Sequence, residues 1–155
     1  MKIILLISAL CSLLAVGASA SPTLTVAKVS GRAGRTVRLP IALNPGSDSV
    51  ASLQFSLILP PNVSTVSVTA GSLMTSSGKS IGGGRKDDVW TFIVYGARNQ
   101  NAMGKGALLT AVVKIASGTA AGTLTVPISN VVYSNALGES IPGGASAGGA
   151  IKVTP

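Results

Sequence analysis

The sequence contains no histidine and only four acidic residues, and its single cysteine, Cys11, lies near the amino terminus. Nucleophilic and acid–base catalysis rely on His, Cys or convergent carboxylates, and metal sites rely on clusters of the same side chains. The one adjacent acidic pair is Asp87-Asp88. Neighbouring residues of an extended chain point to opposite sides, so these two carboxylates do not converge. We therefore expect no catalytic residues, no metal site and no cofactor, and we do not expect an enzyme.

The first 20 residues have the composition of an export signal. Lys2 gives a positive start, residues 3–16 are almost entirely apolar, and Ala18-Ser19-Ala20 is a small-residue cleavage site. We expect a signal peptide at 1–20 and one β-domain at 21–155, secreted to the cell exterior or the periplasm. Cleavage would leave 155 − 20 = 135 residues without a thiol, and a net charge of 11 − 4 = +7. No later run reaches about 18 apolar residues, so no membrane span is expected after cleavage.

The remaining sequence alternates apolar and polar residues in short segments that end at Gly, Pro, Asn or Ser, a pattern typical of β-strands. In the clearest segment, 52–59, every odd position is Leu or Phe. No segment shows a helical stripe, so we predict an all-β fold, a jelly-roll β-sandwich of eight to nine strands. The strand segments are 36–43, 52–59, 63–69, 89–95, 107–116, 122–128, 131–134 and 147–153.

Several positions carry more specific expectations. Pro40 has no N–H to donate, which favours an edge position or a bulge in its strand. Segment 107–116 is apolar at both parities, which predicts a central strand covered on both sides. The stretches 76–88 and 96–106 are rich in Gly and polar residues, and both are predicted to be long loops.

The order of these segments resembles the cohesin domain, the β-sandwich by which scaffoldins hold dockerin-bearing enzymes. The resemblance implies a non-catalytic module that docks a dockerin-like protein through one sheet face. It also implies an extracellular polysaccharide-degrading or cell-surface setting. The matching pieces are 29–37, Leu39-Pro40-Ile41, 50–63, Ala70-Gly71-Ser72-Leu73, 104–114, Gly122-Thr123-Leu124 and 148–153.

The resemblance also identifies candidate partner-binding residues. Cohesins of the first type often carry Asn and Asp two apart on the outward face of the long strand, and Ser52 and Gln54 occupy those positions here. The matching face of the later strand offers Ile93 and Tyr95, with Tyr95 as an aromatic anchor. An acidic residue that follows this strand in the family is replaced by the stretch 96–98, Gly-Ala-Arg. The site is predicted to be Ser52, Gln54, Ile93 and Tyr95, without the acidic contacts usual in the family.

Two other functions fit the composition. A carbohydrate-binding module would contact polysaccharide directly by stacking sugars on exposed aromatic rings, for which parity leaves Tyr95 and Tyr133. A structural envelope component would self-associate through edge strands.

The charge of +7 raises the question of an anionic partner. The basic residues are scattered, and only Arg32, Arg35 and Arg38 cluster. Without a basic stripe interleaved with aromatic residues, we expect no nucleic-acid binding. An acidic protein or an anionic envelope glycan stays open as a partner of this charge.

Overall fold

A computed structural model of the protein describes residues 20–155, so the predicted signal segment lies almost entirely outside the described residues. The described part contains twelve strands and one short helix. They are β1 (Thr23–Val26), β2 (Lys28–Arg32), β3 (Thr36–Asn44), β4 (Ser52–Ile58), β5 (Val63–Ala70), α1 (Ser72–Ser77), β6 (Ser80–Lys86), β7 (Val89–Tyr95), β8 (Gly106–Ile115), β9 (Gly122–Val126), β10 (Ile128–Ser134), β11 (Ala145–Ala147) and β12 (Gly149–Thr154).

The strands form three sheets, and the prediction of an all-β sandwich is confirmed. The two larger sheets have the orders β11-β1-β3-β8-β5 and β10-β4-β7-β6, and a smaller sheet has the order β2-β12-β9. Three continuous stretches of chain leave one sheet and enter another: β1 into β2 at Ala27, β9 into β10 at Pro127, and β11 into β12 at Gly148. These interruptions account for part of the difference between twelve strands and the predicted eight or nine.

The inward side chains of the sheets form one hydrophobic core, as the alternation in the sequence predicts. Phe55 of β4 and Phe92 of β7 are almost fully buried, with ring centroids 5.1 Å apart. Leu39, Ile41 and Val113 pack into the same cluster from the sheet that holds β3 and β8. Phe55 of β4 and Phe92 of β7 point into the core. The even-numbered residues of β4 and the odd-numbered residues of β7 therefore point outward.

The prediction of a loop over 76–88 is wrong. Residues 72–77 form α1, which ends at Gly78 with a left-handed φ of 63°. Residues 80–86 form β6, which pairs with β7 along its whole length from Ser80↔Tyr95 to Lys86↔Val89. Three consecutive glycines carry no side-chain periodicity, so this segment has no strand signal of its own, and the pairing with β7 decides its structure. The second predicted loop is confirmed, since 96–105 contains no strand.

Two strand-level expectations are met in part. Pro40 lies on β3, which is not an edge strand but sits between β1 and β8, although the register does shift next to it, between Ile41 and Ala42. The proline is tolerated because β1 has stopped pairing at Val26, and the Pro40 carbonyl instead accepts the N–H of Ala27 (2.9 Å). Strand β8 is central as predicted, but it is covered fully on one side only. Its outward Thr110 and Val112 are half-buried, and Lys114 is exposed.

Candidate protein-binding face

The outer face of the sheet β10-β4-β7-β6 brings together the four residues that the sequence singles out. Gln54 of β4 pairs with Ile93 of β7, and Ser52 and Tyr95 lie one row further along the same two strands. All four point away from the core and line one shallow depression. We refer to the outward residues of this depression as the docking face; they are Ser52, Gln54, Ile93, Tyr95, Val132 and Ser134.

The docking face exposes an unusual amount of apolar side chain. Ile93 and Tyr95 are each 43 % exposed, and Val132 is 44 % exposed. They are three of the five large hydrophobic residues that are exposed within residues 20–155. Clustered apolar groups with a polar surround of Ser and Gln are characteristic of protein interfaces, whereas isolated exposed hydrophobic residues are ordinary.

Strand β6 makes room for the Tyr95 ring because its three central residues are glycines. Gly82 pairs with Ile93, and a Cβ atom built on Gly82 would lie 3.4 Å from Cε1 of Tyr95. The ring therefore lies close to the glycine backbone of the neighbouring strand, one row diagonally from its own position. This diagonal contact positions the aromatic ring at the edge of the sheet.

The next outward pair along β4 and β7, Ser56 and Thr91, is polar and makes a hydrogen bond within the sheet. Ser56 follows Gln54 on the outward parity but is only 2 % exposed, and its hydroxyl shares a 3.1 Å hydrogen bond with that of Thr91. The pair satisfies both hydroxyl groups within the sheet. The accessible part of the face is thus the end that carries Tyr95.

No carboxylate belongs to the docking face. The acidic pair Asp87 and Asp88 lies in the exposed turn between β6 and β7, where Arg85 donates from Nε to the Asp87 carbonyl (2.7 Å) and Arg85 Nη2 approaches Asp88 Oδ1 (4.0 Å). An exposed ion pair of this length contributes little to stability. The Asp-Asp pair is therefore a solvated turn next to Arg85-Lys86, as its sequence context indicates.

Sequence reasoning did not find Val132, because a bulge changes the parity of β10. The register against β4 shifts between Ser129 and Val132, and Asn130 adopts a φ of 51°. The shift turns Val132 outward beside Gln54 and leaves Tyr133 in the core. An Asn between two short apolar runs is the only local signal of this bulge, since Asn tolerates positive φ.

A further exposed apolar residue, Leu137, lies in the loop that follows β10 and is 83 % exposed. The side chain of Asn135 orders this loop, because its Oδ1 accepts hydrogen bonds from the backbone N–H groups of Leu137 (2.9 Å) and Glu139 (3.0 Å). Asn135 Nδ2 also donates to the Glu139 carboxylate (2.8 Å). The loop begins directly after Ser134, the last residue of β10 and a member of the docking face.

The aromatic residues offer only one ring for sugar stacking. Tyr133, expected as a second surface ring, is 2 % exposed and donates its hydroxyl to the Ala145 carbonyl (2.6 Å). Burial raises the pKa of Tyr133 to about 12. Trp90 is partly buried against Phe92, with ring centroids 5.4 Å apart. A platform of several rings, typical of direct polysaccharide binding, is missing from the described residues.

Residues 20–155 contain neither a cluster of metal-ligating side chains nor a membrane-spanning helix. They contain no group of three or more His, Cys, Asp or Glu side chains placed to hold a metal ion. Over the same range, no helix is long and apolar enough to cross a membrane.

Comparison with known proteins gives the family. The sequence profile of the cohesin domain matches residues 22–153, which is most of the chain. A search among curated proteins finds no match.

Solved structures show the same fold at low sequence identity. The non-cellulosomal cohesin of the archaeon Archaeoglobus fulgidus has 16 % identity and a TM-score of 0.75, covering 88 % of this chain and 93 % of that chain. The third ScaC cohesin of Acetivibrio cellulolyticus, solved with the ScaB dockerin, has 18 % identity and a TM-score of 0.76, covering 86 % and 99 %. The OlpA cohesin in a type I cohesin–dockerin complex of Clostridium thermocellum has 12 % identity and a TM-score of 0.77, covering 87 % and 100 %.

The family profile and the fold agree over nearly all of residues 20–155. Cohesin domains are non-catalytic protein-docking modules. The chain belongs to the cohesin family.

Proposed function

We propose that this cohesin domain binds a dockerin-like protein through the docking face. The observation that carries the proposal is the cluster of Ile93, Tyr95 and Val132, three exposed apolar side chains on one sheet face of a domain from a docking family. The ScaC and OlpA cohesins compared above were both solved as cohesin–dockerin complexes, which supports the class of partner. The proposal includes the four residues Ser52, Gln54, Ile93 and Tyr95 as contacts.

We also propose that the domain acts outside the cell, in a polysaccharide-degrading or cell-surface assembly. The basis is the apolar run and the small-residue cleavage site in residues 1–20. A protein that has no cysteine after Cys11 needs no disulfide to fold in an oxidising compartment, so export is compatible with its composition.

The exposed areas of Tyr95 and Ile93 indicate how much free energy each side chain would contribute to binding. An aromatic side chain buries about 150–250 Å² in full, so the exposed 43 % of Tyr95 corresponds to about 65–110 Å². At about 25 cal/mol per Å², its burial would stabilise a complex by about 1.6–2.7 kcal/mol. Ile93, with the same exposed fraction, would contribute about 0.6–1.3 kcal/mol, taking about 1.5–3 kcal/mol for a fully buried side chain.

The strands also make the face rigid before binding. Gln54 and Ile93 are held by strand pairing on both sides, since β4 lies between β10 and β7, and β7 between β4 and β6. Backbone that is already ordered loses little conformational entropy on association. Since the docking face carries no carboxylate, we expect the partner to bind through apolar contacts and uncharged hydrogen bonds to Gln54, Ser52 and Ser134.

The proposal is tested by titrating the purified protein with type I dockerins, beginning with the ScaB dockerin of Acetivibrio cellulolyticus, and by capturing partners from culture supernatants. Ile93→Asp places a charge at the centre of the face and should weaken binding by at least about 100-fold, because the carboxylate must be desolvated. Tyr95→Ala should weaken it by about 15- to 100-fold, from the area given above.

Val66→Asp is the matched control. Val66 is 60 % exposed on β5, in the other large sheet, so the same change of chemistry falls outside the docking face. Binding that is equally strong in wild type, Ile93→Asp and Tyr95→Ala would show that the partner uses another surface. Equal weakening by Val66→Asp would show that the effect is not specific to this face.

A further inference from the structure

Six of the eleven cations in residues 20–155 lie on strands of the other two sheets and in the turn that joins them. All six side chains are exposed. We call this group the basic ridge; its members are Lys28, Arg32, Arg35, Arg38, Lys114 and Lys152. The docking face, on β10-β4-β7-β6, contains none of them.

The register connects the first half of the ridge. Lys152 of β12 pairs with Ser30 of β2, and Lys28 and Arg32 lie two residues to either side of Ser30 on the same outward parity. Strands about 4.8 Å apart and a rise of about 3.3 Å per residue place the Cα atom of Lys152 roughly 8 Å from those of Lys28 and Arg32.

The turn after β2 connects the second half. The Arg35 N–H donates to the Arg32 carbonyl (3.1 Å), and the Arg35 carbonyl accepts the N–H of Ile115 (2.9 Å). This bond places Arg35 beside Lys114, the residue before Ile115 on β8. Lys114 pairs with Thr36 of β3, and Arg38 lies two residues further on the same side. The backbone of the turn from Arg32 to Arg35 thus joins the two halves of the ridge.

No carboxylate neutralises the ridge. The strands β2, β3, β8, β9 and β12 contain no Asp or Glu, and the one ion pair within the described residues joins Arg85 to Asp88 in a different sheet. Judged by the Cα separation of about 8 Å, Lys152 lies within one screening length, about 10 Å at 0.1 M salt, of both Lys28 and Arg32, so these like charges repel one another. A polyanion laid along the ridge would relieve this repulsion.

The surroundings of the ridge favour a hydrophilic polymer over a membrane. Hydroxyl groups lie among the cations, from Ser30 on β2, Thr36 on β3, and Thr123 on β9, which pairs with Lys152. None of the exposed large hydrophobic residues of the described chain lies on these strands. Surfaces that insert into a bilayer interface combine cations with exposed apolar or aromatic side chains, which the ridge lacks.

We propose that the basic ridge binds a linear anionic polysaccharide, with the Lys and Arg side chains pairing with its acidic groups and the Ser and Thr hydroxyls donating hydrogen bonds to them. This second surface would hold the domain on an acidic glycan while the docking face stays free. The proposal rests on the ridge alone and holds whether or not the docking face binds a dockerin.

The test uses polygalacturonate as the probe, uncharged dextran as the polymer control, and vesicles containing phosphatidylglycerol as the membrane control. The purified protein should bind polygalacturonate at 50 mM NaCl and release it as salt rises. It should bind dextran no more than background. The triple variant Lys28→Gln, Arg32→Gln, Lys152→Gln should bind on the order of 10- to 100-fold more weakly, since each exposed ion pair contributes a factor of about two to five.

A matched triple variant with Lys86→Gln, Arg98→Gln and Lys105→Gln lowers the net charge equally at exposed positions outside the ridge. It should keep binding within about threefold of wild type. The ridge variant should melt no lower than wild type, because it removes mutual repulsion. Equal weakening in both triples, no binding of the wild type, or binding to the vesicles and not to polygalacturonate would each overturn the proposal.

Discussion

Replacing Gly83 by alanine should detach the strand that lies beside Tyr95. Gly83 lies in the middle of β6 with a φ of 151°, in the region that L side chains rarely adopt. A Cβ atom at this position would clash with the carbonyl oxygen of Thr91 and would lie 3.2 Å from the Cα atom of Phe92, both on the paired strand β7. Because both contacts are backbone atoms, no side-chain rotation can relieve them.

The expected loss of stability follows from these two effects. Holding a side chain in a rarely populated backbone region costs about 1–3 kcal/mol. Moving β6 away from β7 to clear the Thr91 oxygen would weaken ladder hydrogen bonds worth about 1 kcal/mol each. The reduced entropy of the unfolded chain offsets about 0.4–1 kcal/mol. The net destabilisation is about 2–4 kcal/mol, which corresponds to a melting temperature on the order of 10 °C lower.

The next residue provides a matched control. Gly84 has no positive φ in the region from +20° to +160°, and a Cβ atom built on it meets nothing within 4 Å. Gly84→Ala should therefore be neutral or stabilising by about 0.4–1 kcal/mol. Urea unfolding of the two variants measures the difference between their free energies of unfolding, which should be at least about 2 kcal/mol.

A second measurement locates the change. Trp90 is the only tryptophan of the chain, and its side chain lies beside Gly82 and Gly83. Its fluorescence emission should shift to longer wavelength in Gly83→Ala, as β6 moves and water reaches the indole, and should stay unchanged in Gly84→Ala. If Gly83→Ala is as stable as Gly84→Ala and has the same emission, the assigned pairing of β6 with β7 is wrong.

Two further predictions concern buried polar groups. Tyr133→Phe leaves the Ala145 carbonyl without its hydrogen bond and should destabilise the domain by about 1–3 kcal/mol in urea unfolding. Burial raises the pKa of Tyr133 from 10 to about 12. The neutral phenol therefore stabilises the fold fully below pH 10, and this stability is lost as the pH rises through 12. Over that pH window, Tyr133→Phe should lose less stability than wild type. Lys79 is 8 % exposed, and none of the described residues accepts a hydrogen bond from its Nζ. Burial lowers the pKa of Lys79, so the charged amine destabilises the folded state at pH 7. Lys79→Met should therefore raise the urea midpoint at pH 7, and the difference from the wild-type midpoint should narrow as the pH approaches 10.5. A lower midpoint for Lys79→Met at pH 7 would contradict this reasoning.

The sequence predicted correctly wherever the evidence was local. The alternation in 52–59 and 89–95 gave the buried side of β4 and β7, and Phe55 and Phe92 lie in the core as expected. It failed where the local pattern was silent or interrupted. The glycine run of β6 has no side chains to alternate, and the bulge at Asn130 reverses the parity of β10, which exposes Val132 and buries Tyr133.

By itself, the amino-acid sequence determined the fold class of this protein, an all-β chain of short strands. It also determined which side of each regular strand faces the core, because the side-chain period of two is a local property of extended backbone. Only the tertiary structure decided which strands are neighbours. Strand order depends on pairing between distant segments, and that pairing assembled both the docking face, by placing Val132 beside Gln54, and the basic ridge, by placing Lys152 beside Ser30 and Lys114 beside Thr36.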